Sequence, residues 1–414
     1  RVHDGLFYAS TFSNTTGKSY IFTTKDPETE PWRRHSTLPF MHDHSLFFDD
    51  DGRVYMVHGG GAIRLTELLP DLTGIKPGGV DKVIISNATK VAGGSPGLPA
   101  EGSQLLKFKG RYYISNIAWP RGGMRTQIIH RADSILGPYE GRILLQDKGI
   151  AQGSLIDTPD GRWFAYLFQD SGAVGRIPYL VPIVWEDGWP TVTNGGRVPD
   201  RLDIAAVQIG AQGITASDEF ERQKGAAALP LAWQWNHQPV DTHWSVSVRP
   251  GWLRLAPPRL VKDVISAPNT LTQRTFGPRS SAQVLLDFSR LKDGDSAGLL
   301  ALQKRHGWLG VKRAAGQAFI VLVTAPDGAG VEQARVPLAG ARVHLRLDCD
   351  FNKRKDETSF FFSLDGSEWK QIGEPMKMHY DLPHFMGYRF GLFCFSTESL
   401  GGHADFDFFR LSSL

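Results

Sequence analysis

Four short motifs of one type recur down the first half of the chain. They are Gly5-Leu-Phe-Tyr8, Gly52-Arg-Val-Tyr55, Gly110-Arg-Tyr-Tyr113 and Gly161-Arg-Trp-Phe164, spaced 47, 58 and 51 residues apart. In each, a glycine able to take positive φ closes a turn, and an apolar or aromatic run opens a strand. A second landmark repeats in the same order: Lys25-Asp26-Pro27 with Pro31-Trp32 returns as Arg131-Ala-Asp133 with Gly137-Pro-Tyr139. Several short strands per unit, at a period of roughly 40–50 residues, mark the blades of a β-propeller. Such a unit cannot bury its apolar faces alone, so the repeat demands neighbours packed side by side.

Strands are expected at Leu6 to Phe12 and Ser19 to Thr24 in the first unit, and at Ser45 to Phe48, Val54 to Val57 and Ile63 to Leu65 in the second. Gln104 to Phe108, Tyr112 to Asn116 and Gln127 to Arg131 belong to the third. Ser154 to Asp157, Trp163 to Gln169 and Tyr179 to Trp185 complete the fourth. Alternation of apolar and polar residues is weak in the second unit, as suits strands buried on both faces. A Gly/Pro-rich loop, Gly93 to Pro99, leads to Glu101.

After Pro190 the repeat stops. From Asp218-Glu-Phe220 the rhythm changes to about eight strand-like runs with turn signals such as Asp365-Gly366, which indicates a jelly-roll-like β-sandwich. The expectation is an all-β chain: a propeller over residues 1–205, a linker over 206–217 and a sandwich over 218–414. Trp233, Trp235 and Trp244 read as sandwich core. With 45 Gly and 25 Pro in 414 residues, long helices are disfavoured. A net charge of +3 with acids and bases interspersed gives no basic stripe, which argues against nucleic acid. No apolar run approaches the roughly 20 residues of a membrane helix. Asn14-Thr-Thr16 and Asn87-Ala-Thr89 have the form of glycosylation acceptors, and a secreted, extracellular protein is expected. Cys349 and Cys394 are either an oxidised pair or two buried thiols.

In a propeller the inner strands face a central channel, at whose mouth ligands bind. Asp43 and Glu101 stand at equivalent positions, each just before the inner strand of its unit, so they converge on the axis. Two convergent carboxylates are what glycoside hydrolysis needs, one to protonate the leaving oxygen and another to activate water or tune its partner. The alternative makes Glu101 a solvated loop acid and Asp43 a turn cap. His42 and His44 alternate about Asp43, so one of them shares its face, with His42 as the channel-lining group. Asp49-Asp50-Asp51 reads as a solvated turn. Arg176 is either a fixed cation near a substrate or an inter-blade ion pair. Trp119 is either a sugar-stacking aromatic or inter-blade packing.

At these residues the chain resembles glycoside hydrolase family 43, in the branch with an appended C-terminal β-sandwich. The motifs are His42-Asp43-His44-Ser45-Leu46-Phe47-Phe48 with the acidic turn to Gly52, Glu101-Gly102-Ser103, Gly137-Pro138-Tyr139, and Gly175-Arg176 through Pro182 with Trp185 to Trp189. Asp218 to Phe220 and Trp233 to His237 resemble the start of the appended domain. The resemblance implies a five-bladed propeller and an exo-acting, inverting β-xylosidase or α-L-arabinofuranosidase on xylo-oligosaccharides or arabinoxylan. Glu101 would be the general acid, Asp43 would tune and orient it, Arg176 would line the sugar subsite, and Gln152-Gly153 would open the last inner strand. The family's base is an Asp of the first blade that no residue here matches. With four repeats present, a further blade of roughly 50–100 residues is expected upstream of residue 1. No cofactor is expected to be required. Ala151 stands where some members place a His that helps hold a channel calcium, so the case for that metal is weak. The rival reading is a non-catalytic carbohydrate-binding propeller, and a third possibility makes the sandwich a xylan-binding module.

Overall fold

The computed structural model describes residues 1–204, 213–223 and 228–414. The chain divides into two compact units, Arg1–Gln169 with Ile177–Ala205, and Asp170–Arg176 with Ala206–Leu414. Residues 206–212 of the expected linker lie outside the described residues.

The first unit holds four antiparallel four-stranded sheets in which every strand pairs with its sequence neighbour. Blade one comprises Val2–His3, Leu6–Ser13, Lys18–Thr24 and Arg33–Pro39, and blade two Ser45–Phe48, Val54–His58, Ile63–Leu68 and Asp81–Ile85. Blade three is Pro96–Phe108, Arg111–Pro120, Thr126–Ala132 and Glu140–Leu145; blade four is Ala151–Asp157, Trp163–Asp170, Arg176–Glu186 and Trp189–Val192. The first strands of successive blades converge. The Arg1 guanidinium donates to the carbonyls of both Leu46 and Leu105, Leu105 N donates to Ser45 Oγ at 3.3 Å, and Ser115 Oγ donates to Gly153 O at 3.0 Å.

The weak alternation in blade two has a direct cause. Tyr55 and Val57 point into a core shared with Leu105, Tyr112 and Ile114 of blade three. Val54 and Met56 point the other way, into a core with Ile21 and Leu38 of blade one. A strand sandwiched between two blades needs apolar residues on both faces.

Two expectations need correction. Gly93 to Pro99 is not wholly loop, since the strand Pro96–Phe108 already begins at Pro96. As the edge of its sheet it tolerates prolines that cannot donate, and its register shifts three times against Arg111–Pro120. The acidic turn is also not simply solvated. Asp49 is buried, accepting from Tyr112 OH at 2.8 Å and Lys107 Nζ at 2.8 Å, so it ties blade two to blade three.

His130, 3 % exposed in blade three, has an Nδ1 with no hydrogen bond among the described residues. Burial pushes its pKa down to about 4. Below pH 6.5 the unfolded chain takes up a proton that the folded one refuses. This blade's stability is therefore complete above pH 6.5 and declines as pH falls toward about 4. The expected loss is on the order of 2–3 kcal/mol for this residue. Denaturant midpoints at pH 7 and pH 5 measure it, and His130→Asn should flatten the difference. Equal slopes in the two proteins would refute the assignment.

The second unit is a sandwich of a seven-stranded and an eight-stranded antiparallel sheet. In the eight-stranded sheet Val343, Leu345, Leu347 and Cys349 of Arg342–Asp350 face the shared core, while His344, Arg346 and Asp348 alternate outward. Trp233 is buried in that core, and Trp235 and Trp244 pack against it. Both cysteines are free and buried. Cys349 donates to Thr358 Oγ1 at 3.5 Å, and burial pushes its thiol up to about 12, so it stays protonated.

Candidate active site

Glu101 lies in the bulged stretch of Pro96–Phe108, opposite Ile117. Asn116, fully buried beside it, donates from Nδ2 to Ser103 Oγ at 2.8 Å and more weakly to the Glu101 carbonyl at 3.5 Å. Gly102 follows with φ +66°, and a Cβ there would sit 2.9 Å from Gln152 Nε2. Glycine at 102 is what lets the Gln152 side chain lie against the acid's own strand.

Gln152 owes its direction to a bulge between Ala151 and Gly153, where it takes φ +72°. Its N–H donates to Gln127 Oε1 at 2.7 Å, a fully buried amide from blade three. At Gly153 a Cβ would fall 1.9 Å from Tyr166 O, so no other residue fits.

His42 and Asp43 occupy a turn just ahead of Ser45–Phe48, not a strand, and Asp43 adopts φ +44°. Aspartate tolerates that left-handed conformation better than most residues. The turn is pinned by Gly59 N, which donates to His42 O at 3.0 Å. The His42 ring meets Phe12 edge-on at 5.5 Å and Phe40 in a stacked arrangement at 6.5 Å. So held, its Nε2 lies 2.9 Å from Glu101 Oε2. Asp43, His42 and Glu101 each bring one nitrogen or oxygen within 4.8 Å of the others. Glu101 Oε1 and both oxygens of Asp43 make no hydrogen bond among the described residues.

The arrangement is a carboxyl group fixed through one oxygen, with its other oxygen open and a second carboxylate beside it. His44 turns away: its Nδ1 is 2.8 Å from Met41 O, and burial lowers its pKa, so it stays neutral. A cation near Ala151 finds poor company. The Ala151 carbonyl accepts from Arg125 Nη2 at 3.5 Å, and this buried guanidinium lies 4.7 Å above the Phe168 ring. A guanidinium beside the Ala151 carbonyl does not favour a cation at that carbonyl.

Trp119 and Arg176, the two remaining sequence candidates, lie on other elements. Trp119 is two residues beyond Ile117 on Arg111–Pro120, 46 % exposed, with Nε1 donating to Gly123 O at 3.1 Å. It is not packed between blades. Arg176 belongs to the second unit, where it pairs with Asp170 at 3.1 Å and covers the Phe385 ring at 4.8 Å. Its ion pair is therefore not an inter-blade one. Phe12, Phe40, Gln127 and Asn116 were not singled out from sequence. Only Asn116, in the strand expected beside Glu101-Gly102-Ser103, carried any signal.

Comparison with known proteins agrees with this geometry. Residues 1–190 match the family described as glycosyl hydrolases family 43, and residues 217–412 the β-xylosidase C-terminal concanavalin A-like domain. A protein of Xylanibacter ruminicola that carries a provisional β-xylosidase name is 31 % identical over 407 residues, covering 91 % of this chain and 70 % of its own. A β-xylosidase of Formosa agariphila is 25 % identical over 475 residues, covering 98 % of this chain and 76 % of its own. Among solved structures, a bifunctional GH43-CE protein of Bacteroides eggerthii is 52 % identical with a TM-score of 0.94. That match covers 100 % of this chain and 53 % of the other, so the chain spans about half that protein's length. With four propeller blades, an appended sandwich and a paired acid site, the chain belongs to glycosyl hydrolases family 43.

Proposed function

We propose that this glycoside hydrolase removes terminal xylose or L-arabinofuranose from xylan-derived oligosaccharides, by single displacement with inversion. The observation that carries the reading is the convergence of Asp43 and Glu101, from adjacent blades, with one oxygen of each within 4.8 Å of the other and of a His42 nitrogen. Relatives named for β-xylosidase activity support the substrate class.

In this reading Glu101 gives its proton to the glycosidic oxygen as the bond to the departing sugar breaks. Asp43 is too close to Glu101 to be the base. An inverting pair leaves room for a water between carboxyl groups roughly 6.5–9.5 Å apart. Asp43 instead orients the acid. His42 holds Glu101 Oε2 while Gln152 offers a neutral amide alongside.

The test is release of nitrophenol from the aryl xyloside and the aryl arabinofuranoside, with the configuration of the first-released sugar read by proton NMR. Inversion at the anomeric carbon supports the mechanism, and retention would overturn it. Absence of turnover on both glycosides would favour a sugar-binding propeller instead.

His42 has its own prediction. His42→Ala should lower kcat/KM about 10- to 100-fold on xylobiose, the worth of a hydrogen bond to a charged group. On a dinitrophenyl xyloside, whose leaving group needs little protonation, the loss should be several-fold smaller. Equal losses on both substrates would mean that His42 does not act through the acid.

A further inference from the structure

The outer face of the seven-stranded sheet in the second unit is apolar, yet it is not filled. Its side chains fall in cross-strand rows. One row runs Phe395, Ser296 and Lys312, and another Leu300, Trp308 and Val323. Between them Gly298 faces Gly310 directly. Neither position admits a side chain: a Cβ would lie 2.2 Å from Leu309 O at Gly298 and 2.3 Å from Ala297 O at Gly310. A cavity of about 610 Å³ lies on this face, lined from the two rows by Phe395, Ser296, Lys312, Trp308 and Val323.

Trp308 and Phe395 supply its aromatic wall, meeting each other edge to face at 6.2 Å. Two buried polar side chains line it, Ser296 and His306, each 2 % exposed. His306 Nδ1 is 3.2 Å from Lys304 O, but its Nε2 and the Ser296 hydroxyl have no hydrogen bond among the described residues. Both atoms line the cavity and are available to a polar occupant. At the mouth, Lys312 stands 3.8 Å from Glu332 and Lys262 4.0 Å from Asp263. Both contacts are too long for hydrogen bonds; Glu332 is held through both oxygens by Arg335 and Asp263 Oδ1 by Ser266, so the two ammonium groups are the donors left for a ligand.

The chemistry selects among ligands. Two ammonium groups and the Arg335 that holds Glu332 stand against two carboxylates, a near balance that gives little preference for a charged ligand. A purely apolar ligand would strand His306 and Ser296. An aromatic wall with uncommitted donors and acceptors suits a ligand with a C–H face and many hydroxyls, and the volume lies within the range of small-ligand pockets.

We propose that this cavity is a second carbohydrate site, taking one or two pentose units of a neutral xylan-type chain; the choice of sugar rests on the function proposed above. The site would hold polymer while the propeller acts on chain ends.

Calorimetric titration of the Glu101→Gln protein with xylohexaose tests it, because binding is then read without hydrolysis. Two binding events are expected. Adding Lys312→Ala and Ser296→Val should weaken one of them at least tenfold and leave the other. In the active enzyme the same two substitutions should not change kcat/KM on an aryl xyloside. Should the double variant fail to fold, Lys312→Ala alone, at the rim, must still weaken the second event. A single event, or two events indifferent to these substitutions, overturns the proposal. Two events in a protein that cleaves no pentoside would leave this site standing and remove the catalytic reading.

Discussion

Glu101→Gln is expected to lower kcat/KM on xylobiose by about 10²- to 10⁴-fold, the usual worth of a positioned general acid. The substitution is nearly isosteric and keeps a polar partner for His42 Nε2, now 2.9 Å from Glu101 Oε2, so the fold should not change. What it removes is the transferable proton. The loss should therefore follow the leaving group. An alkoxide from a second xylose needs protonation as the bond breaks, whereas a dinitrophenolate leaves almost unaided. Rates on a series of aryl xylosides should fall more steeply with leaving-group basicity in the variant than in the parent. If the variant cleaved xylobiose at the parent rate, or lost the same factor on every aryl glycoside, Glu101 would not be the acid. Matched circular dichroism spectra separate this result from misfolding.

Much of the architecture could be read from the residues because each blade carries its own punctuation. Strands opening after Gly52, Gly110 and Gly161 were visible as turn-plus-apolar runs, and Val54–His58 was visible for being apolar on both faces. The fourth strand of each blade was not. Arg33–Pro39 buries only Ser36 and Leu38, and Asp81–Ile85 has no fully buried residue. An outermost strand covers one neighbour and faces solvent elsewhere, so its composition resembles a loop's. In the sandwich, His306–Ala314 and Val331–Leu338 were likewise not picked out, the first broken by glycines and the second largely exposed.

The site was legible where the repeat spoke for it. Asp43 and Glu101 were paired by position within the unit, and the structure brings them together. The hydrogen bond from His42 was not readable, since it depends on a turn with Asp43 at φ +44° instead of the expected strand alternation. Gln127 of blade three meets Gln152 of blade four, and Phe12 of blade one with Phe40 just past that blade's last strand flank His42; one-dimensional spacing carries no trace of such contacts. Asp49 failed for a similar reason: three acids before a glycine look solvated until Tyr112 and Lys107 of the next blade are seen to cover the first.

Asp218→Ala should cost the second unit roughly 3–5 kcal/mol, the penalty for breaking a buried charged network from one side. Asp218 is 8 % exposed, and its carboxylate accepts four hydrogen bonds. Phe220 N and Arg222 Nη1 donate to Oδ1 at 2.8 Å each, Arg222 Nη2 to Oδ2 at 2.7 Å, and Trp233 Nε1 to Oδ2 at 2.9 Å. The first of these holds Phe220 at φ +54°, a conformation a bulky residue avoids unless it is fixed. Phe220, Trp233 and Phe409 then pack as an aromatic group, with ring centroids 5.9 and 4.8 Å apart. Asp218 also exchanges both backbone hydrogen bonds with Phe409, so the first residues of the sandwich are clamped onto one of its last strands. Removing the carboxylate leaves the Arg222 guanidinium with only the Glu221 and Ala228 carbonyls, strands an indole N–H and releases the strained backbone together. A melting temperature lower by about 10 °C is the expected size for a domain of this length. Asp218→Asn keeps the shape but only one acceptor oxygen, and should fall between. A shift under about 1 kcal/mol for the alanine variant, within the range of ordinary surface changes, would mean the clamp is not what seats this end of the chain.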